Sequence, residues 1–122
     1  MPLNIIIREA CESDLLSLVK YNLALAKETE NLDLNKDTLR LGIQSSFALP
    51  GCHYFVAETE GNVVGQTMIT SEWSDWRNGT IWWMQSVYVH PSYRKQGVFH
   101  EIFKHIETIA ANTPSIQSLR LY

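Results

Sequence analysis

Residues Val87-Tyr88-Val89-His90-Pro91-Ser92-Tyr93-Arg94-Lys95-Gln96-Gly97-Val98-Phe99 run from a strand-like segment through a basic, glycine-containing loop into a helical pattern. The first amides of a helix have no partner inside it and sit at the positive end of its dipole, so they bind an anion that can come close enough. Gly97 permits that approach, and Arg94 and Lys95 add charge around Gln96. A diphosphate suits such a cradle better than a neutral ligand. The amides of Val98 and Phe99, at the start of the helix, complete it. No GxxxxGK[ST] pattern is present, so a nucleoside-triphosphate enzyme of that type is a weak alternative.

Other reactive side chains are less promising. Cys11 and Cys52 lack CxxC spacing and are read as incidental thiols in a reducing compartment. A nucleophilic thiol needs a basic neighbour, and His53, next to Cys52, points to the opposite face of a strand. His90 abuts Pro91, and His100 and His105 follow the loop. All three are read as exposed or structural, with His100 the nearest to a bound phosphate.

The elements that position the loop follow from periodicity. Asn4 to Arg8 is a short β-branched run, broken at Cys11-Glu12-Ser13-Asp14, where Ser13 or a neighbour caps a helix carrying Leu15, Leu16, Leu18, Val19 and Leu23. A second helix begins near Asn35 with Leu39, Ile43 and Phe47 on one side and stops at Pro50-Gly51. From His53 the period becomes two. Gly61-Asn62 is the expected turn to a strand over 63–72, in which Gly65 marks a bulge, and Asn78-Gly79 leads to a strand over 80–90. Pro91 halts that strand. Val98, Ile102, Ile106 and Ile109 then form an amphipathic helix, and Ile116 to Tyr122 is a closing strand parallel to 80–90. The order is β-α-α-β-β-β-α-β, an α/β fold with a mixed sheet, an antiparallel meander and a parallel last strand, in one domain over 1–122.

The 122 residues, 45% hydrophobic and 19% charged, suit one folded core. A net charge of -3 with scattered Lys and Arg argues against nucleic acid. No apolar stretch approaches the roughly 20 residues of a membrane helix, and the first residues lack a signal-peptide layout, so a cytoplasmic location is expected.

In its motif and element order the sequence resembles the GCN5-related N-acetyltransferase (GNAT) family, whose pyrophosphate loop has Gln or Arg, two residues, Gly, one residue, then Gly or Ala. Arg94, Gly97 and the preceding Val87, Val89 and Pro91 match that pattern, and Phe99 departs from it at the last position. The family continues past the last strand seen here with a helix and two strands, so the resemblance implies a domain shortened on its C-terminal side. It further implies acetyl-coenzyme A as cosubstrate and direct acyl transfer to a small-molecule or protein amine, without a metal. Val87, Tyr88 and Val89 would pair with the pantetheine arm, and an amide near Tyr88 would polarise the thioester carbonyl.

A base must then take the amine proton. Glu72 is the preferred candidate and Glu58 the second, while Gln85 can orient a water. Trp73 and Trp76 are left open between an acceptor pocket or dimer surface and core, and one of Trp82 and Trp83 is assigned to core, because neighbours on a strand face opposite ways. A rival expectation is an inactive coenzyme-A-binding or oligomerising domain. Its open sheet edge would favour a homodimer or strand exchange.

Overall fold

The period-two segments after Pro50 fold as the centre of a sheet. The computed structural model describes residues 3–122. Strands β1 (Ile6–Glu9), β2 (Cys52–Thr59), β3 (Asn62–Ser74), β4 (Gly79–Val89) and β5 (Ile116–Leu121) lie side by side in sequence order. The first four pair antiparallel, and β5 joins β4 in parallel from Thr80↔Ile116 to Met84↔Leu121. Helices α1 (Leu15–Glu30) and α2 (Lys36–Ser46) cover one face, and α3 (Val98–Ala111) covers the other.

Each face has its own apolar layer. Under α3, Val98, Ile102 and Ile106 pack on Phe55, Ala57, Ile69 and Met84. Beneath α1 and α2, Leu18, Val19 and Ile43 meet Tyr54 and Val56. Burying each such aliphatic side chain contributes about 1.5–3 kcal/mol. Asn35 caps α2 by accepting the Thr38 amide at 2.9 Å. At the start of α1 it is Asp14, rather than Ser13, that organises the turn, accepting the Cys11 amide at 2.9 Å. Arg8 donates two bonds to Asp14, at 2.7 and 2.9 Å, and reaches Glu58 at 3.0 Å, tying β1 and β2 to the start of α1.

Three local expectations shift. The first strand covers Ile6–Glu9 rather than 4–8. The hairpin turn is Glu60-Gly61, not Gly61-Asn62, because both positive φ angles it needs fall there (51° and 79°) and Asn62 already pairs with Thr59. Between β3 and β4 the loop holds four residues, Asp75 to Asn78, and Gly79 is the first residue of β4. The bulge expected at Gly65 is present beside it: Ala57 and Glu58 face Gly65 and Val63, leaving Val64 as the extra residue. A Cβ on Gly65 would lie 3.0 Å from Val98 Cγ1, so glycine lets the first turn of α3 press against the sheet. No helix among the described residues is long and apolar enough to cross a membrane.

Candidate functional site

The last bond between β4 and β5 runs from the amide of Tyr122, the final residue of the sequence, to the Met84 carbonyl at 2.9 Å, and Gln85 to Val89 pair with no strand on that side among the described residues. On the other side β4 stays paired with β3 and ends with the His90 amide bonding the Val64 carbonyl at 2.8 Å. Backbone groups alternate sides along an antiparallel strand, so the Tyr88 amide turns toward β3 while those of Val87 and Val89 face the gap.

The gap leads directly to the start of α3. His90 Nδ1 accepts the Ser92 amide at 3.1 Å and Pro91 begins a single 3-10 turn, which swings the chain away from the sheet. Lys95 and Gly97 both have positive φ, 62° and 85°. Gly97 is the N-cap of α3 and supplies no side chain to cap it, and the first intrahelical bond is Glu101 to Gly97 at 3.0 Å. The amides of Val98, Phe99 and His100 therefore remain unpartnered among the described residues. A Cβ on Gly97 would meet nothing within 4 Å, so this helix end opens outward instead of into the protein.

A cavity of about 450 Å³ brings these pieces together, lined by Val87, Tyr88, Val89, Arg94, Lys95, Gly97, Val98, Phe99 and His100 against Leu25, Glu28 and Thr29 of α1. It continues past Leu25, Thr29, Val87 and Phe99 into a second cavity of about 720 Å³, walled by Met84, Gln85, Ser86, Glu30, Leu34 and Tyr122. Phe99 stands at the junction, 37% exposed, with its ring 6.3 Å from that of Phe103. The bulk at this position forms a wall of the cleft and leaves the Phe99 amide exposed to it.

Two residues of the loop brace it with their side chains. Gln96 donates to the Ser92 carbonyl at 3.0 Å and is not part of the cavity wall. Arg94 Nε donates to the Val89 carbonyl at 2.8 Å, its guanidinium pairs with Glu28 at 2.9 Å, and it lies 5.2 Å from the centre of the Tyr88 ring. The Tyr88 phenol is buried against Tyr21 and Glu28. Burial, then the Glu28 charge, raises its pKa above the ordinary tyrosine value, so it stays protonated at neutral pH.

Glu72 lies on the α1 side of the sheet opposite Ile81, roughly 20 Å along β4 from Val87 at about 3.3 Å per residue. Its Oε1 accepts the Trp83 indole N–H at 2.7 Å, and Trp83 in turn meets Tyr122, with ring centres 6.2 Å apart; Glu72 itself lines neither cavity. Glu58 is held by Arg8, away from the cleft. Gln85 lines the larger cavity and bonds Thr70. Of the tryptophans, Trp82 packs with the α3 layer, whereas Trp73 and Trp76 are 64% and 93% exposed. Glu28 and Glu30 were not singled out from the sequence, where they look like solvent-facing helix residues; neither were Gln66 and Thr67 of β3, which bond the backbone at Ser86 and Gln85.

The sequence pattern of the Acetyltransferase (GNAT) family matches residues 20–122. Among solved structures, a possible acetyltransferase from Clostridium difficile 630 is 43% identical, with a TM-score of 0.91 over 97% of this chain and 78% of that one. A predicted acetyltransferase from Clostridium acetobutylicum, solved with acetyl-CoA, has 16% identity and a TM-score of 0.77 over 97% and 80%. An aminoglycoside acetyltransferase from an uncultured soil metagenomic sample, in complex with sisomicin, has 13% identity and a TM-score of 0.75 over 97% and 76%. No curated protein matches the chain. With the family pattern covering most of its length and a close structural relative along nearly all of it, the chain belongs to the GNAT family of acetyltransferases.

Proposed function

We propose that this protein moves an acetyl group from acetyl-coenzyme A to a primary amine by direct attack. The observation that carries this reading is the meeting of the Val87–Val89 stretch of β4 with the uncapped start of α3 in one cleft. Three free amides and Lys95 fit a diphosphate, and the exposed backbone of Val87 and Val89 fits an amide-bearing arm that pairs as a strand would. Acetyl-coenzyme A brings the activated thioester.

The chain's own residues do the rest. The amides of Val98, Phe99 and His100 hold phosphate oxygens, with Gly97 giving close access. Arg94 and Gln96 keep the loop in shape, Arg94 also setting positive charge beside the anion. An amide adjoining Tyr88, that of Val87 or Val89, donates to the thioester oxygen as it gains charge, while the Tyr88 ring anchors that stretch of strand on α1. Glu30, which lines the larger cavity together with Val87, takes the amine proton directly or through one water; Glu72, roughly 20 Å along β4 from Val87, lies beyond the reach of a single water. Leu34, Gln85 and Tyr122 border the space for the acceptor, a small-molecule or protein amine.

A homodimer or strand-exchanged oligomer that pairs sheet edges belongs to the same reading. Sedimentation at several concentrations tests the dimer. For the main reading, calorimetric titration with acetyl-coenzyme A comes first, followed by release of free thiol across a panel of amines. Tight binding without thiol release from any amine would favour an inactive, cofactor-binding role.

A further inference from the structure

Where β3 uses one residue, Thr67, β4 uses two, Ser86 and Val87: Gln66 pairs with Tyr88, and Met68 already pairs with Gln85. Ser86 takes a φ of 54°, which non-glycine residues seldom adopt and which persists only where surrounding contacts impose it. Such a bulge takes carbonyls out of the ladder, and buried carbonyls need donors. Two side chains of β3 provide them. Thr67 Oγ1 donates to the Gln85 carbonyl and Gln66 Nε2 to the Ser86 carbonyl, each at 2.9 Å. Both residues are completely buried.

Gln66 brings a cost with it. Its Oε1 is buried without a partner among the described residues, and an unsatisfied buried acceptor costs about 1–3 kcal/mol. An aliphatic residue in this interior strand position would avoid that cost but would leave the Ser86 carbonyl without its donor. The polar side chain therefore makes sense through what it holds, and what it holds is the peptide immediately before Val87.

We infer that Gln66 and Thr67 are positioning residues of the acyl-transfer site: from β3, on the side of β4 away from the cleft, they fix the peptide planes at Gln85 and Ser86 so that the Val87 amide faces the thioester. This rests on the acetyl-coenzyme A reading above. Neither side chain touches the ligand, and both act through the bulge.

The test uses acetyl-coenzyme A labelled with carbon-13 at the thioester carbonyl, and difference infrared spectra of the complexes with the wild type, Thr67→Val, Thr67→Ser and Gln66→Met. In the wild type the bound carbonyl stretches at lower frequency than in the free ligand. Thr67→Val and Gln66→Met lose most of that shift while the dissociation constant for coenzyme A itself, which has no such carbonyl, holds within about threefold. Thr67→Ser, which keeps the hydroxyl, restores the shift. With an accepted amine, kcat of the two defective variants falls by up to about 100-fold at little-changed KM for acetyl-coenzyme A. A full carbonyl shift in both Thr67→Val and Gln66→Met overturns the inference, and either variant decides it should the other fail to fold. Binding by the wild type with no carbonyl shift overturns it as well, whereas no binding of either ligand overturns the parent reading of the cleft.

Discussion

Arg94 and Glu28 form an ion pair of 2.9 Å across the mouth of the cleft, from the anion-binding loop to α1. Both are a little over 40% exposed, so the pair itself is worth at most about 1 kcal/mol. The bond from Arg94 Nε to the Val89 carbonyl is the more important one, since it ties the loop to the strand that meets the cofactor. Arg94→Lys loses the planar fork that serves both partners and is expected to weaken acetyl-coenzyme A binding about tenfold. Glu28→Gln removes only the ion pair and is expected to change affinity less than about threefold. Calorimetry on the two variants compares them directly. Equal losses would mean that the contact to α1, and not the one to β4, holds the loop.

Gly97 is placed so that any side chain there would project into open space at the start of α3. Its φ of 85° adds about 1–2 kcal/mol of backbone strain for a residue with a Cβ, a cost the domain tolerates at an exposed turn. Gly97→Leu should therefore fold, with an unchanged far-ultraviolet circular dichroism spectrum, and lose more than about 100-fold in affinity because the side chain occupies the phosphate cradle. Gly97→Ala is expected to fall between. Undiminished binding by Gly97→Leu would take the loop out of the site.

The loop was legible in the sequence because its chemistry is local: a proline that ends a strand, basic residues, a glycine, then an amphipathic helix whose first amides must lie exposed. The mixed sheet was legible for the same reason, through its periods and turns. Ser86 was not. No glycine or proline marks that bulge; the side chains that bond it are Gln66, twenty residues from Ser86, and Thr67, eighteen residues from Gln85. Glu28 was hidden likewise, as one acidic residue among several on α1 until tertiary packing set it against Arg94. The one-residue error at Glu60-Gly61 arose because Gly61 fits either turn and only pairing with β2 fixes the register.

Stability should depend on pH through Asp14. Hydrogen bonds from Arg8 are the main cause that lowers its pKa, and burial opposes them. A carboxylate depressed on folding adds stability above its unfolded value, near 3.9, and loses it as pH falls through the lower folded value. Asp14→Asn is expected to cost about 2 kcal/mol at neutral pH, with the difference from wild type shrinking on acidification below about pH 4. Urea denaturation at a series of pH values gives both numbers. A gap that stays constant with pH would show that the charge at Asp14 contributes little.

Two carboxylates compete for the amine proton, and their positions predict different phenotypes. Glu72 is fixed by Trp83 and lines neither cavity, whereas Glu30 lies on the wall of the larger one at the end of α1. A general base contributes about 10²–10⁴-fold, so replacing the true one by its neutral amide should lower kcat on that scale without affecting acetyl-coenzyme A binding. It should also abolish the acidic limb of the pH-rate profile. For Glu30→Gln the expected loss is at the lower end, about 100-fold, because a water relays the proton, whereas Glu72→Gln is expected to change kcat less than about threefold. Trp83→Phe, which removes the indole N–H that holds Glu72 Oε1, should likewise leave the profile in place. Should Glu72→Gln flatten the profile while Glu30→Gln leaves it intact, the base lies on β3 and the acceptor space extends to Trp83 and Tyr122.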